Sequence, residues 1–464
     1  MADVSIGVQR TTLPTSSTTT HDVTVSGIGT PSAAIFIFYR DTGTAGNANQ
    51  QDCVMSYGFT DGSNHFSAYA DWDDNASNHS GTRSQSTSYV AMLDGNATNN
   101  VAFGSFITDG VRLNVANGSG LTGCHVDLIL FAGDDVDAAV GDFQVPGSTG
   151  STRTISSLSF QPKLIFATTA GIANATNQAH SVISWGVAHD TGSGIKQSVL
   201  ARGAANNTKN IAGVRRNDGI AAQAFTQSTA WRQEVTSFTS DGFVVTERDN
   251  NAGSDDVGYL CLSLGDAGIK LNDAYGTPTA TGTDTVGTTT FTPQFFLSCL
   301  SRDTNSSHDT SSTSTNAGEV IGNILIDEVQ SLYNQTQVDH NNSSTTAAAA
   351  YRSSSTTEAL NLFTDKTVNN SFDEDTLAVA DFDSFSATGT VLDYTTVSGG
   401  GSSQRYYGWA LQIEEGDSAP SATITTTAAA ASSSVSASVT SQQSFKPRNR
   451  ATAARYRGYY LRSE

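Results

Sequence analysis

The chain has 464 residues, with 24 basic and 44 acidic side chains, and its formal net charge is −20. This excess of acid excludes nucleic-acid binding by the body of the protein, because phosphate contacts need clustered Lys and Arg. Hydrophobic residues make up 37% of the chain and charged residues 15%, yet it contains 21 Phe and 14 Tyr. These aromatics, with abundant Thr, Val and Ile, favour pleated sheets over a disordered chain. We therefore expect an all-β protein.

Neither a membrane span nor a secretion signal is expected. No apolar run approaches the roughly 18 residues of a transmembrane helix. The first residues lack a basic segment followed by an apolar one, so we expect folding in a cytoplasm without a signal peptide. The cysteines show no C-x-x-C spacing, and we expect buried free thiols, with a Cys53–Cys124 disulfide as the alternative. The four are Cys53, Cys124, Cys261 and Cys299.

Short strands are predicted from the N-terminus onward. Residues 1–25 alternate Val or Ile with polar residues, which indicates two edge strands. The apolar run from Ile35 to Phe38 is typical of a strand buried on both faces. Further on, the segment Phe106-Ile-Thr-Asp-Gly110 opens a strand that is followed by a second apolar segment, Val126 to Ala132. We interpret these two segments as strands joined by a hairpin.

The same pattern recurs twice, which indicates internal repeats. A Phe precedes a Gly by four residues in the segments that begin at Phe106, Phe238 and Phe385. A proline precedes an apolar run at two successive steps of 131 residues, which suits the first position of a strand; these are Pro31, Pro162 and Pro293. An aromatic–glycine pair also recurs, as Tyr57-Gly58 and Trp185-Gly186.

We predict three tandem antiparallel β-sandwiches with jelly-roll-like topology, followed by an extended C-terminal arm. The boundaries are 1–147, 148–280, 281–420 and 421–464. The third repeat is longer, and we place an insertion between Asp339 and Glu374. Within it, the segments that start at Ala347 and Glu358 are short-helix candidates, and we expect the insertion to be a surface loop at one end of the third sandwich.

The arm is expected to attach the chain to a neighbour, with docking on its own third sandwich as the alternative. Residues 421–444 contain no charge, whereas residues 445–464 carry six basic side chains against one acid. Residues 1–444 hold 18 basic and 43 acidic side chains, a balance of −25. Like-charged termini commonly act as interaction tails, and Arg can grip carboxylates with two hydrogen bonds. The assembly residues are Lys446, Arg448, Arg450, Arg455, Tyr456, Arg457, Tyr459, Tyr460 and Arg462.

No catalytic, cofactor or metal site is predicted. The G-x-G-x-x-G match at 118–123 lies between two predicted strands, where glycine serves a turn and not a nucleotide. Acidic runs at 71–74 and 133–137 offer oxygen ligands for Ca²⁺ but lack EF-hand spacing, so solvated loops are expected. Trp185 and Trp409 lie in repeat strands and suit the core, whereas Trp72 and Trp231 are the candidates for stacking on a glycan.

Three segments carry a resemblance to a known class of proteins. They are the opening at Phe160-Gln-Pro162, the Ser184-Trp185-Gly186 segment and the Asp241-Gly242 segment. Residues 1–420 thereby resemble β-sandwich domains of tailed-bacteriophage tail, fibre and capsid-decoration proteins. The resemblance implies a non-enzymatic virion protein whose partners are other copies of itself and other virion proteins, without nucleic acid, membrane or cofactor. The third repeat departs from the Trp-Gly segment, so its loops are free for another role.

Two alternative functions remain open at this point. The chain could be a host-surface receptor-binding adhesin of the phage that recognises a glycan through Trp72 or Trp231. It could also be a bacterial surface adhesin, for which we would expect a signal peptide. A structural protein of the particle, located in the virion, is the function we favour.

Overall fold

The structure is a computed structural model. It describes residues 4–415 except 17–18, 41–49, 52, 73–80, 117–123, 205–210, 226–227, 250–253, 304–309, 315–318, 327–331, 342–347, 356–359, 369–370 and 398–404. All regular secondary structure in this part of the chain is β-strand, so the all-β prediction is confirmed. The arm at 421–464 and the G-x-G-x-x-G segment lie outside the described residues.

The strands fall into three successive sets of eleven. The first set is β1 (Ser5–Thr12), β2 (Thr19–Thr24), β3 (Pro31–Arg40), β4 (Gln50–Gln51), β5 (Cys53–Thr60), β6 (His65–Trp72), β7 (Thr82–Ser86), β8 (Ala91–Met92), β9 (Asn100–Ile107), β10 (Gly110–Ala116) and β11 (Cys124–Ala132). The second set is β12 (Val136–Gln144), β13 (Thr152–Ile155), β14 (Leu164–Thr169), β15 (Gln178–Ala179), β16 (Ser181–Asp190), β17 (Ile195–Ala204), β18 (Ile211–Arg216), β19 (Ala221–Phe225), β20 (Ser228–Thr239), β21 (Gly242–Glu247) and β22 (Asp256–Leu264). The third set is β23 (Ile269–Gly276), β24 (Gly282–Val286), β25 (Phe295–Asp303), β26 (Thr310–Ser314), β27 (Glu319–Ile326), β28 (Leu332–Asn341), β29 (Ala348–Ser355), β30 (Leu360–Val368), β31 (Ser371–Ser386), β32 (Gly389–Val397) and β33 (Arg405–Ile413).

These strands form three sheets of seven and three sheets of four. The seven-stranded sheets have the orders β1-β11-β3-β5-β6-β7-β15, β12-β22-β14-β16-β17-β18-β26 and β23-β33-β25-β27-β28-β29-β4. The four-stranded sheets have the orders β2-β10-β9-β8, β13-β21-β20-β19 and β24-β32-β31-β30. The same order therefore occurs three times. In each large sheet, four strands lie side by side in chain order, as β3, β5, β6 and β7 do in the first. This arrangement differs from a strict jelly roll, which is built of two Greek keys.

Each four-stranded sheet covers one face of a seven-stranded sheet and makes a β-sandwich. In the first sandwich, Phe36 and Leu128 of the larger sheet pack with Val111 and Leu113 of the smaller one. Equivalent apolar clusters fill the second and third sandwiches. We call these the first, second and third sandwich below. The predicted boundaries at residues 147, 280 and 420 stay predictions. β12 precedes residue 147 but pairs with β22 of the second sandwich, and β23 precedes residue 280 but pairs with β33 of the third.

The other face of all three large sheets lies in one shared apolar cluster, which we call the central core. Alternate residues of the same strand serve the two clusters: Ile35 and Ile37 of β3 face the central core, whereas Phe36 and Phe38 face the sandwich. Strands β14 and β25 divide their residues in the same way. The prediction of a strand buried on both faces is thus confirmed for β3. Period-two alternation is absent from these strands because both sides are apolar.

The recurring aromatic–glycine pair marks a close approach of the two sheets. A Cβ at Gly58 would lie 1.8 Å from the carbonyl oxygen of Val90, and one at Gly186 would lie 1.9 Å from that of Ile220. Val90 and Ile220 immediately precede β8 and β19, so the contact is the same in two sandwiches. Glycine is needed at both positions because any side chain would displace the facing backbone.

The hairpin predicted between Gly110 and Val126 is wrong. Strand β10 forms its tight hairpin with the preceding strand β9, through Thr108 and Asp109, and belongs to the four-stranded sheet. Strand β11 belongs to the seven-stranded sheet, between β1 and β3. β10 and β11 therefore belong to different sheets. The Asp-Gly dipeptide was the stronger turn signal, and Asp109 has a positive φ of 61°.

The helix candidates in the third repeat are also wrong. The segment at Ala347 leads into β29, and the segment at Glu358 leads into β30, so both continue the sheets. β30 and β31 are longer than their counterparts β8 and β9, and this accounts for much of the extra length assigned to an insertion. Alanine is the strongest helix former, but tertiary context routinely overrides intrinsic propensity, and here pairing with β28 outweighs it.

Gly186→Ala should destabilise the protein, because the new methyl group would overlap the Ile220 carbonyl oxygen. We expect a loss of about 1–3 kcal/mol, typical of overpacking. Urea unfolding followed by tryptophan fluorescence measures it. Gly194→Ala is the matched control, since a Cβ there meets nothing within 4 Å. Equal unfolding midpoints for the two variants would contradict the close approach.

Candidate functional site: the junctions between sandwiches

The outermost strand of each seven-stranded sheet comes from a different sandwich. β15 of the second sandwich pairs with β7 of the first, and β26 of the third pairs with β18 of the second. β4 of the first sandwich pairs with β29 of the third, which completes a cycle. Each donated strand lies between the third strand of its set and the next long strand of that set. We call these three intervals of the chain the crossing segments; they are 41–52, 170–180 and 304–318.

The second crossing segment, at residues 170–180, is described in full and shows how a junction is held. Gln85 of β7 is buried, and its amide Nε2 donates to the carbonyl oxygens of Ile172, at 3.1 Å, and Asp256, at 2.9 Å. Its Oε1 accepts from the backbone N–H of Ala170, at 2.9 Å, and from the Thr169 hydroxyl, at 3.3 Å. One side chain of the first sandwich thereby makes four hydrogen bonds to the second.

Neighbouring residues of β7 extend this contact. Arg83 Nη1 donates to the carbonyl oxygens of Ala170 and Gly171, at 3.2 and 2.9 Å. The backbone N–H of Asn177 donates to Ser84 Oγ at 3.0 Å and to the Gly95 carbonyl oxygen at 2.7 Å. Most of these acceptors are backbone carbonyls that a loop leaves without sheet partners. Satisfying them is required, because an unpaired buried polar group costs about 1–3 kcal/mol.

A half-buried carboxylate lies at the far end of the same junction. Asp71, the next-to-last residue of β6, accepts hydrogen bonds from the Thr82 backbone N–H and the Thr82 hydroxyl. The hydroxyl of Ser181, in the second sandwich, donates to the Asp71 backbone carbonyl. Burial raises the pKa of Asp71, and the Thr82 hydrogen bonds oppose that rise. Asp71 had been predicted to lie in a solvated acidic loop, and that expectation is wrong for this residue because Thr82 and Ser181 enclose it.

Aromatic rings join the three large sheets across the central core. The rings of Tyr57 and Trp185, from the first and second sandwiches, stack with centroids 4.5 Å apart. Trp185 also lies 6.1 Å from Trp409 of the third sandwich. Phe131 and Phe295 join the first and third sandwiches at 6.5 Å. Trp185 is therefore the ring that contacts both neighbours, and the core prediction for Trp185 and Trp409 is consistent with their full burial.

Acidic side chains bind the outer strands of the large sheets. Asp61 of the first sandwich accepts from the backbone N–H of Val140 in β12, at 2.8 Å. Glu415 accepts from the backbone N–H of Ile6 in β1, at 2.9 Å. Such contacts occupy edge N–H groups that would otherwise be open to strand addition. The Lys196–Asp273 ion pair, at 3.1 Å, joins the second and third sandwiches, but its lysine is half exposed and the pair contributes little.

Neither tryptophan predicted to contact a glycan is exposed. Trp72 lies in the central core with no exposed surface, and the Arg202 guanidinium lies 4.6 Å from its ring centroid. Trp231 lies in the second sandwich, also with no exposed surface, and its indole N–H donates to Asp255 at 2.8 Å. Their expected exposure is wrong because both belong to strands whose inner faces need large side chains.

The remaining site predictions divide between the described residues and the rest. Cys124, Cys261 and Cys299 are buried, and burial raises the pKa of the Cys261 and Cys299 thiols. The described residues include no group of three or more metal-ligating side chains. In the same part of the chain, no helix has the length and hydropathy of a membrane span. All nine predicted assembly residues, Lys446 to Arg462, lie outside the described residues.

The residues that hold the junction do not belong to any of the sequence patterns described above. Gln85 is a single amide in a Ser/Thr-rich stretch, and three of its four hydrogen bonds go to backbone atoms 85 to 171 positions away. Comparisons with protein-family models, with curated proteins and with solved structures find no match.

Gln85→Ala should weaken the junction, because it leaves the carbonyl oxygens of Ile172 and Asp256 and the N–H of Ala170 without this partner. We expect a loss of about 2–4 kcal/mol in unfolding free energy and faster hydrogen exchange in residues 170–180. The matched control is Gln178→Ala, an exposed glutamine of the same segment. Unchanged exchange in Gln85→Ala would exclude its bridging role.

Cutting the backbone between the first two sandwiches should not separate them. A protease site inserted between Asp134 and Asp135 lies in the turn that joins β11 to β12. After cleavage, we expect both fragments to elute together at the mass of the intact protein, because they share the central core and β15. Light scattering after size exclusion measures the mass, with the uncut protein as control. Two separate peaks would mean that the sandwiches are independent.

Proposed function

We propose that the chain is a non-enzymatic structural protein of a tailed-phage virion, exposed on the particle and attached through its C-terminal arm. The virion is its proposed location, after synthesis in the host cytoplasm. Its proposed partners are other copies of the chain and other virion proteins. It serves as a decoration or tail component.

The observation that carries the proposal is the cycle of donated strands around a shared core. A particle protein must remain folded outside the cell, and this chain has a structural basis for high stability. Its stability comes from sheets that are apolar on both faces and from strands exchanged between sandwiches. Such an arrangement opens only if several junctions break together, which favours slow unfolding and long survival.

Charge supports the proposed mode of attachment. The last 20 residues carry a net charge of +5, whereas residues 1–444 carry −25. A basic arm from one copy can therefore pair with the acidic surface of another, and residues 421–444 are β-branched and uncharged enough to add to a sheet edge. The glycan-binding alternative has lost its two candidate residues, since Trp72 and Trp231 are buried. No specific observation favours the bacterial adhesin.

A chain that ends at Pro420 should fold but fail to join the particle. Replacing only the basic residues of the arm by Gln should lower incorporation as well, and added salt should weaken attachment of the intact chain, because exposed charges are screened. Quantitative mass spectrometry of purified virions measures the number of copies per particle. The substituted residues are Lys446, Arg448, Arg450, Arg455, Arg457 and Arg462.

The control replaces three exposed basic residues of the body by Gln, namely Arg112, Arg153 and Lys196. This variant should enter virions at the normal level. Circular dichroism of the truncated chain verifies that its sheets are intact. Normal incorporation of the truncated chain would disprove attachment by the arm, and absence of the intact chain from virions would disprove the proposed function.

A further inference from the structure

Two polar side chains lie side by side inside the second sandwich. Glu247 of β21 and Gln233 of β20 are directly opposite each other in the sheet, and neither has exposed surface. The Gln233 amide donates a hydrogen bond to Oε2 of Glu247. The next pair on the same face of the sheet is Val235 opposite Val245, two residues of the sandwich core. The pair is therefore part of the apolar interior.

Among the residues that the structure describes, no cation compensates a charge at this position. Arg232 bonds Asp249 at 3.1 Å and also contacts Asp218, so its guanidinium is committed elsewhere. On the outer face of the sheet, Arg248 is paired with Glu234. From the opposite side of the sandwich, Asp255 accepts from the Trp231 indole. Among these charged groups, only Asp249 acts on Glu247 electrostatically, and its negative charge disfavours ionisation.

The hydrogen bonds of this pair favour a protonated Glu247. Oε1 of Glu247 and Oε1 of Gln233 are both buried, and neither accepts a hydrogen bond from the described residues. A carboxylate can only accept, whereas a carboxylic acid has one O–H to donate. If Glu247 carries a proton on Oε1, it can donate to Gln233 Oε1 while the amide donates to Oε2. The two side chains then form a closed pair of hydrogen bonds.

The other two sandwiches show that the fold does not require a polar pair here. Glu247 is the fifth residue after Gly242, and the equivalent residues are Val115 after Gly110 and Tyr394 after Gly389. Val115 lies opposite Val101 in the first sandwich, and Tyr394 lies opposite Ala380 in the third. An apolar pair thus satisfies the same position, which makes the acid a feature of the second sandwich alone.

We propose that Glu247 is a carboxylic acid in the folded protein, paired with the Gln233 amide, and that its ionisation in alkaline solution weakens the second sandwich. Burial raises the pKa of Glu247 to about 7. The hydrogen bonds from Gln233 and from the backbone N–H groups of Arg232 and Asp249 lower the pKa and oppose this effect. The pair is stable when Glu247 is protonated, and ionisation destabilises it because a charge is then buried in the core.

The sign of the pH effect follows from the raised pKa. The folded protein binds the Glu247 proton more tightly than the unfolded chain, whose glutamate has a pKa of 4.5. The stabilisation is complete below that value and is lost as the pH rises through about 7. His21, His65, His180 and His189 act in the opposite direction, because burial lowers their pKa values. The contribution of Glu247 must therefore be isolated by comparing variants.

Urea unfolding of the intact chain between pH 5 and 9 tests whether the protonated Glu247–Gln233 pair stabilises the protein. We compare the native protein with Glu247→Gln and with the double variant Glu247→Val, Gln233→Val, which copies the first sandwich. The folded-to-unfolded ratio of the native protein should fall relative to both variants by up to about tenfold per pH unit, as for one proton. Glu234→Gln is the control, since this carboxylate lies on the outer face of the same strand. It should keep the native pH dependence.

Infrared difference spectra provide a readout that does not depend on folding stability. The native protein at pH 6 should show the carbonyl stretch of a protonated carboxylic acid, which disappears above pH 8 and is missing in Glu247→Gln. Hydrogen exchange in β20 and β21 should also accelerate across that range, after correction for the intrinsic rate. A carboxylate spectrum at pH 6, or an equal pH dependence in native protein and Glu247→Gln, would overturn the proposal.

Discussion

A large sheet that is apolar on both faces must be covered twice, and the rest of this structure depends on that constraint. A four-stranded sheet covers one face, as Phe36 and Phe38 pack inside the first sandwich. The opposite face, with Ile35 and Ile37, has no second small sheet to cover it, and the central core buries it against the other two large sheets. A single sandwich would expose a continuous apolar surface, which soluble proteins avoid. The three sandwiches therefore depend on each other for burial.

The same constraint explains why strands are exchanged. Packing three large sheets around one core brings their ends together, and an open sheet edge at such a junction would leave backbone groups unpaired. The donated strands β15, β26 and β4 close those edges. Gln85 and Arg83 then satisfy the carbonyl groups of the loop that carries β15 across. The polar contacts at a junction are thus a consequence of the apolar packing, and they fix which sandwich follows which.

Sequence reasoning recovered the features that depend on local pattern. The strand class, the double burial of β3 and the strand positions of the aromatic–glycine pairs follow from residue type and spacing. It failed where distant packing decides. The sequence around Trp72 and Trp231 resembles that around an exposed aromatic residue. They are buried only because they lie on the inner faces of their sheets. The Ala347 segment has helical propensity, yet pairing with β28 makes it a strand. The junctions were missed because Gln85 bonds backbone atoms far away in sequence.

Covalent linkage of the three sandwiches has a consequence that a trimer of identical chains lacks. Equivalent positions can differ, because each copy is encoded separately. One such position holds Val115 in the first sandwich, Glu247 in the second and Tyr394 in the third, where the Tyr394 hydroxyl bonds that of Tyr275 at 2.7 Å. In an identical trimer, a buried acid would occur three times and destabilise every sandwich. Here the shared core keeps all three folded while one of them carries the acid, so that a titratable group inside the protein is tolerated.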